Sequence, residues 1–112
     1  MKKITAIVRP EKLEPLKEAL FASDVSGMTI SQVSGCGNQH GWTEYYRGNE
    51  VILNMVPKVK FEIIVEDHEV EDLVRVIQET ARTGNVGDGK IFIFPCEQVI
   101  RIRTGESGDE AI

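Results

Sequence analysis

The sequence predicts an α+β domain built as a double βαβ, with four antiparallel strands in one sheet and two helices on one face. Three observations predict it. Alternating apolar runs mark strands, and apolar residues three to four apart mark two helices. The whole strand–helix–strand pattern then recurs, with Lys60 falling 57 positions after Lys3. Two βαβ units of this kind, laid side by side with the usual right-handed crossover, give the ferredoxin-like arrangement.

The elements follow in order. KITAIV, 3–8, alternates with Ile4, Ala6 and Val8 on one face, and Pro10 ends it. Leu13, Leu16 and Leu20, with Ala19 and Phe21 nearby, predict a helix starting near Lys12. Pro15 then falls in the first turn, where a missing N–H costs nothing. MTISQV, 28–33, reads as the second strand. In the second unit KFEIIV, 60–65, matches KITAIV; Val70, Leu73 and Ile77 match Leu13, Leu16 and Leu20, and Gly84 matches Gly27. Asp67 is the expected N-cap of this helix, with Glu69 and Glu71 in its first turn and Val74 widening its apolar stripe. KIFIF, 90–94, is the fourth strand, and QVIRIR, 98–103, is expected as a short strand or edge.

At 112 residues the chain is expected to form one domain, 1–112, long enough to bury a core of its own. A net charge of −5 and a pI near 5.0 argue against a nucleic-acid partner, which needs a basic surface. No apolar run is long enough to cross a membrane, and the N-terminus is too short in apolar residues for a signal peptide. Cys36 and Cys96, dispersed and outside any Cys-x-x-Cys, fit a reducing cytoplasm. On the sheet face away from the helices, Ile7 and Ile64 mix with Thr5, Lys58, Lys60 and Glu62. Such a half-apolar face reads either as scattered surface isoleucines or as a face covered by other copies of the chain.

Three segments are candidates for function. The long loop at about 37–55 holds the only tryptophan and both tyrosines, Trp42, Tyr45 and Tyr46, beside Arg47. Long loops of this kind are usually functional, and an exposed β-ribbon carrying the same residues would equally be suited to an interface. The glycine loop 82–90, with Gly84, Gly87 and Gly89 before Lys90, is either an Asp-Gly turn or a nest of backbone donors for an anion. In the C-terminal segment 97–112, Arg101 and Arg103 would share one side of a strand and favour a polyphosphate site. GCGNQHG, 35–41, adds backbone donors, and Gln39 an amide oxygen for a hard cation such as Mg²⁺. No nucleophile–base pair, zinc spacing or Walker-type loop appears, so catalysis has little support.

KKITAIVRPEKL, GMTISQVSGCGNQHG, TEYYRG, PKVKFEIIVED, TGNVGDGKIFI and EQVIRIRTGESGDEAI together resemble the PII nitrogen-signalling proteins of the GlnB/GlnK type, over essentially the whole chain. The resemblance implies a cytoplasmic, non-enzymatic homotrimer that binds ATP or ADP between subunits, and 2-oxoglutarate together with Mg-ATP. It implies nucleotide contacts at Ile7, Thr29, Gly37, Asn38, Glu62, Ile64, Gly87, Asp88, Gly89, Lys90, Arg101 and Arg103. The oxoacid would meet Gly37, Asn38, Gln39, His40, Gly41 and Lys58, with Gln39 as the magnesium ligand. The long loop corresponds to the family's T-loop, so Trp42, Thr43, Glu44, Tyr45, Tyr46 and Arg47 would bind the target. That target is an ammonium transporter in GlnK-type members, which would bring the protein to the membrane only through the transporter; other members regulate nitrogenase, another transporter or a metabolic enzyme. Weak ATPase activity has also been proposed for the family, and Asp88 is the one arguable base. Three departures stand out. Val51 and Asn49 occupy positions modified on tyrosine or serine in other members, so no modification is expected at either. Asn38 replaces a commonly basic residue, which bears on the balance of ATP against ADP.

Overall fold

A computed structural model describes residues 1–36, 42–46, 49–53 and 55–112, the two short central segments by their backbone. Seven residues, Lys2–Val8, form β1, and ten, Val56–Val65, form β5. Their alternation does what the sequence requires: Ile4, Ala6, Val8, Val59, Phe61, Ile63 and Val65 are all buried, while Ile7, Lys58, Lys60, Glu62 and Ile64 are only partly covered. α1 spans Leu13–Ala22 and α2 spans Val70–Ala81, and their apolar stripes close over the buried face. Leu16, Leu20, Leu73 and Ile77 are the helical contribution to that core.

β2, Thr29–Gly35, and β6, Lys90–Pro95, complete a four-stranded sheet in the order β2-β5-β1-β6, every neighbour antiparallel. This is the ferredoxin-like double βαβ. Each crossover skips a strand, because the strand of the other unit lies between. Between β2 and β5 a two-stranded ribbon is formed by β3, Trp42–Tyr46, and β4, Asn49–Leu53, paired from Trp42–Leu53 to Tyr46–Asn49. Of the two readings left open for the long loop, the ribbon is the one adopted here.

Two local expectations need correction. Asp67 is not the N-cap of α2. A 3-10 turn at Asp67–Glu69 precedes the helix, and Glu66 caps it: Glu69 Oε1 accepts from the Glu66 N–H at 3.1 Å while the Glu66 carboxylate accepts from the Glu69 N–H. Asp67 pairs instead with the α-ammonium of Met1 at 3.0 Å. α1 begins at Leu13, as expected near Lys12, after a 3-10 turn at Pro10–Lys12, and Phe21 faces solvent. QVIRIR is no strand. Ile100 makes one isolated bridge to Ser107, and the chain turns sharply, with Gly105 N–H donating to Arg101 O and Arg101 N–H to Glu106 O. Alternation therefore does not set the directions of Arg101 and Arg103. Cys36 and Cys96 are free, and among the described residues no helix is long and apolar enough to cross a membrane.

Candidate functional site

The end of β1, the middle of β5 and the start of β6 lie side by side, since Ile7 pairs with Lys60 on one flank and Lys90 on the other. The glycine loop reaches this end of the sheet. Gly84, Gly87 and Gly89 have φ of 90°, 105° and 100°, a region that favours glycine. At Gly89 the demand is also steric, because a Cβ there would lie 1.7 Å from Ile7 O. The loop backbone rests directly on the end of β1.

Asp88 organises this loop. Its carboxylate accepts hydrogen bonds from Thr83 Oγ1, from the N–H groups of Thr83 and Gly84 at 2.9 Å each, and from Arg9 Nε at 3.0 Å. The Thr83 hydroxyl, followed by the Thr83 N–H, Arg9 and the Gly84 N–H, outweighs partial burial and holds the carboxyl far below the usual carboxylate range. A carboxylate so engaged is a poor general base, and what Asp88 offers an anion is its backbone N–H. Lys58 Nζ donates to Gly87 O. Ile7, Gly89 and Lys90 line a cleft of about 410 Å³ together with Gln78 and Arg82 at the end of α2.

A second group gathers elsewhere. Thr29, Glu62, Ile64 and Arg101 line a separate depression of about 470 Å³, closed on one side by Gly27 and the terminal Ile112. Thr29 and Glu62 are direct cross-strand partners. Burial pushes the Glu62 carboxyl up, but Lys3 and Lys60, each 3.4 Å away, outweigh it and leave it below its ordinary value. Arg101 is held by Glu106 at 3.7 Å and by the Glu110 carbonyl at 3.2 Å. Arg103 is exposed on the adjoining turn. The expected site residues thus fall into two groups within one chain.

Gly37, Asn38, Gln39, His40, Gly41 and Arg47 lie outside the described residues. Trp42, Thr43, Glu44, Tyr45 and Tyr46 are placed on β3, and Asn49 and Val51 on β4.

Residues 1–106 match the family model described as nitrogen regulatory protein P-II. The chain belongs to the P-II nitrogen regulatory family. It is 51% identical over 112 residues to the nitrogen regulatory protein P-II of Azospirillum brasilense, and 54% identical to that of Nostoc punctiforme, covering all of each protein. It is 52% identical to nitrogen regulatory protein P-II 2 of Methanothermobacter thermautotrophicus, covering 97% of it. These P-II relatives are named as regulatory proteins, in keeping with a signalling role and not an enzymatic one.

Sequence reasoning missed two features of this P-II chain. Arg9 and Thr83 hold the glycine loop, and the Arg9–Asp88 link crosses 79 positions, for which no local pattern exists. Phe92 and Phe94 stack at 6.5 Å on the open sheet face, and alternation in KIFIF together with the register Thr5–Phe92 and Lys3–Phe94 was the signal for them.

Proposed function

We propose that this P-II protein is a non-enzymatic sensor of nitrogen, carbon and energy status. It binds ATP or ADP, and 2-oxoglutarate with Mg²⁺, in clefts between the subunits of a homotrimer, and regulates an ammonium transporter through the loop that carries β3 and β4. The observation that carries the reading is the glycine loop: three left-handed glycines beside Lys90, pinned to the sheet end that also holds Lys58. Such a loop concentrates backbone donors and positive charge suited to a polyphosphate. Lys58 supplies an ammonium for a dicarboxylate. The amide of Gln39 would complete the magnesium ligation.

The split of the site supports a shared cleft, since Thr29, Glu62, Ile64 and Arg101 line a different depression from Gly89 and Lys90. A second copy would bring one group against the other. The open sheet face gives such a copy a place to dock. Phe92 and Phe94 on edge strand β6 are 42% and 45% exposed on this face, and the buried Thr5 hydroxyl between Glu62 and Phe92 finds no partner among the described residues. Calorimetry with ATP, with and without 2-oxoglutarate and Mg²⁺, tests the sensor, and the mass in solution tests the trimer. Absence of heat for either ligand at millimolar concentration would sink the reading. Pull-downs from membranes and from soluble extract distinguish the transporter from nitrogenase or another soluble target. Phosphate release that disappears on further purification dismisses a slow ATPase.

A further inference from the structure

Arg9 leaves β1 in an extended conformation (φ −64°, ψ 146°) with Pro10 next to it, so its backbone is stiff on the C-terminal side. Its side chain is about three-quarters buried and spans the glycine loop: Nε donates to Asp88 Oδ1 at 3.0 Å and Nη2 to Val86 O at 2.8 Å. The planar fork of a guanidinium holds two acceptors at a set separation, which a point charge does not. Asp88 in turn bonds Thr83 and Gly84, so residues 83–88 are drawn into a ring with Arg9 at its base.

The consequence for ligand binding follows from the planarity of the peptide. None of the described peptide bonds is cis, so the C=O and the following N–H of each unit point in opposite directions. Arg9 holds the Val86 carbonyl and Lys58 the Gly87 carbonyl, which turns the N–H groups of Gly87 and Asp88 away from these two cations. Arg9 also neutralises a carboxylate that would otherwise repel a polyphosphate.

We propose that Arg9 is a positioning residue for anion binding: it ties the glycine loop to β1 and fixes the direction of its amide donors, without itself being assigned to the nucleotide. The inference rests on the nucleotide reading given above. It predicts that Arg9→Met leaves the midpoint of global unfolding close to that of the parent protein. In the nucleotide-free protein the variant exchanges the Thr83 and Gly84 amide hydrogens on the order of tenfold faster or more, and it binds ATP on the order of 10- to 100-fold more weakly. Arg9→Lys restores part of the affinity, because an ammonium reaches Asp88 or Val86 O but does not bridge them in the same way. Thr83→Val, which removes a single hydroxyl, shifts exchange and affinity in the same direction by less. Arg9→Met and Asp88→Asn combine non-additively, since both act through one contact.

Parent-like exchange over residues 83–89 in both Arg9→Met and Thr83→Val would overturn the proposal, as would parent-like ATP affinity in the two variants. If Arg9→Met loosens the loop while the parent protein gives no heat with ATP, the nucleotide reading falls and the anchoring role of Arg9 stands alone.

Discussion

The two βαβ units are built from one pattern, and they part company where the site lies. Their early portions superpose in sequence: the 3-10 turns Pro10–Lys12 and Asp67–Glu69, and the helix starts Leu13 and Val70, keep the same 57-residue spacing. Their exits differ. α1 closes with Asp24 in the left-handed region (φ 63°), Asp24 N–H donating to Phe21 O and Val25 N–H to Leu20 O, and with Val25 buried behind it. That is a Schellman closure, compact and self-sufficient. α2 instead runs out through an extended Arg82 into the glycine loop, whose bonds go to its own Asp88, to Lys58 on β5 and to Arg9 of the other unit. The residue entering each 3-10 turn shows the same divergence. Glu66 caps its own turn, whereas its counterpart Arg9 crosses to the glycine loop of the second unit. A repeat is enough to make the core, but a binding loop requires the two copies to differ.

The comparison breaks first in the core. Leu16→Ala and Leu73→Ala, at equivalent and buried positions, should each destabilise the protein by about 2–5 kcal/mol in denaturant unfolding. A loss well under 1 kcal/mol at only one of them would show that the units do not contribute equally. The next largest contrast concerns glycines. Gly89→Ala meets both a left-handed φ and the Ile7 carbonyl, so it should cost about 1–3 kcal/mol and disturb ATP binding. Gly84→Ala, with φ 90° but open space, should cost about 1 kcal/mol. Its repeat partner Gly27→Ala should change stability by no more than about 0.5 kcal/mol. Thermal midpoints for the three rank the positions directly. Glu66→Ala removes a cap and should lower stability by about 0.5–1 kcal/mol, with no effect on exchange in the glycine loop.

The smallest effect is electrostatic. The hydrogen bond and charge of the Met1 α-ammonium hold the Asp67 carboxyl below its ordinary value. A lowered folded-state pKa means that the contribution is fully present above the unfolded carboxylate range and is lost as the pH falls through the folded value. Parent and Asp67→Asn unfolding profiles should therefore keep a constant separation from about pH 6.5 to pH 5, where the ammonium stays charged, and converge in acid. Asp88 obeys the same sign, so protection of the Thr83 and Gly84 amides should survive until the pH is well below the ordinary carboxylate range.

Much of this was legible in the chain. Period-two and helical spacing place β1, β5, α1 and α2 and their buried residues, because which face of a strand or helix is apolar is a local property. The half-apolar open face follows from the same alternation, and the pattern in the resembling segments agrees with membership of the P-II family. Tertiary structure decided the rest. Glu66 and not Asp67 caps the turn before α2, while Asp67 pairs with the N-terminal ammonium, a partner brought to it only by the fold. The RIR segment turned instead of extending: among the described residues it pairs only through the single Ile100–Ser107 bridge, and its backbone groups are satisfied within the turn itself. The ordering of the glycine loop by Arg9 depends on two residues that come together only when β1 and β6 pair. Local chemistry is written along the chain and can be read there. Which distant polar groups satisfy one another is settled only when the sheet assembles and water is excluded from between them.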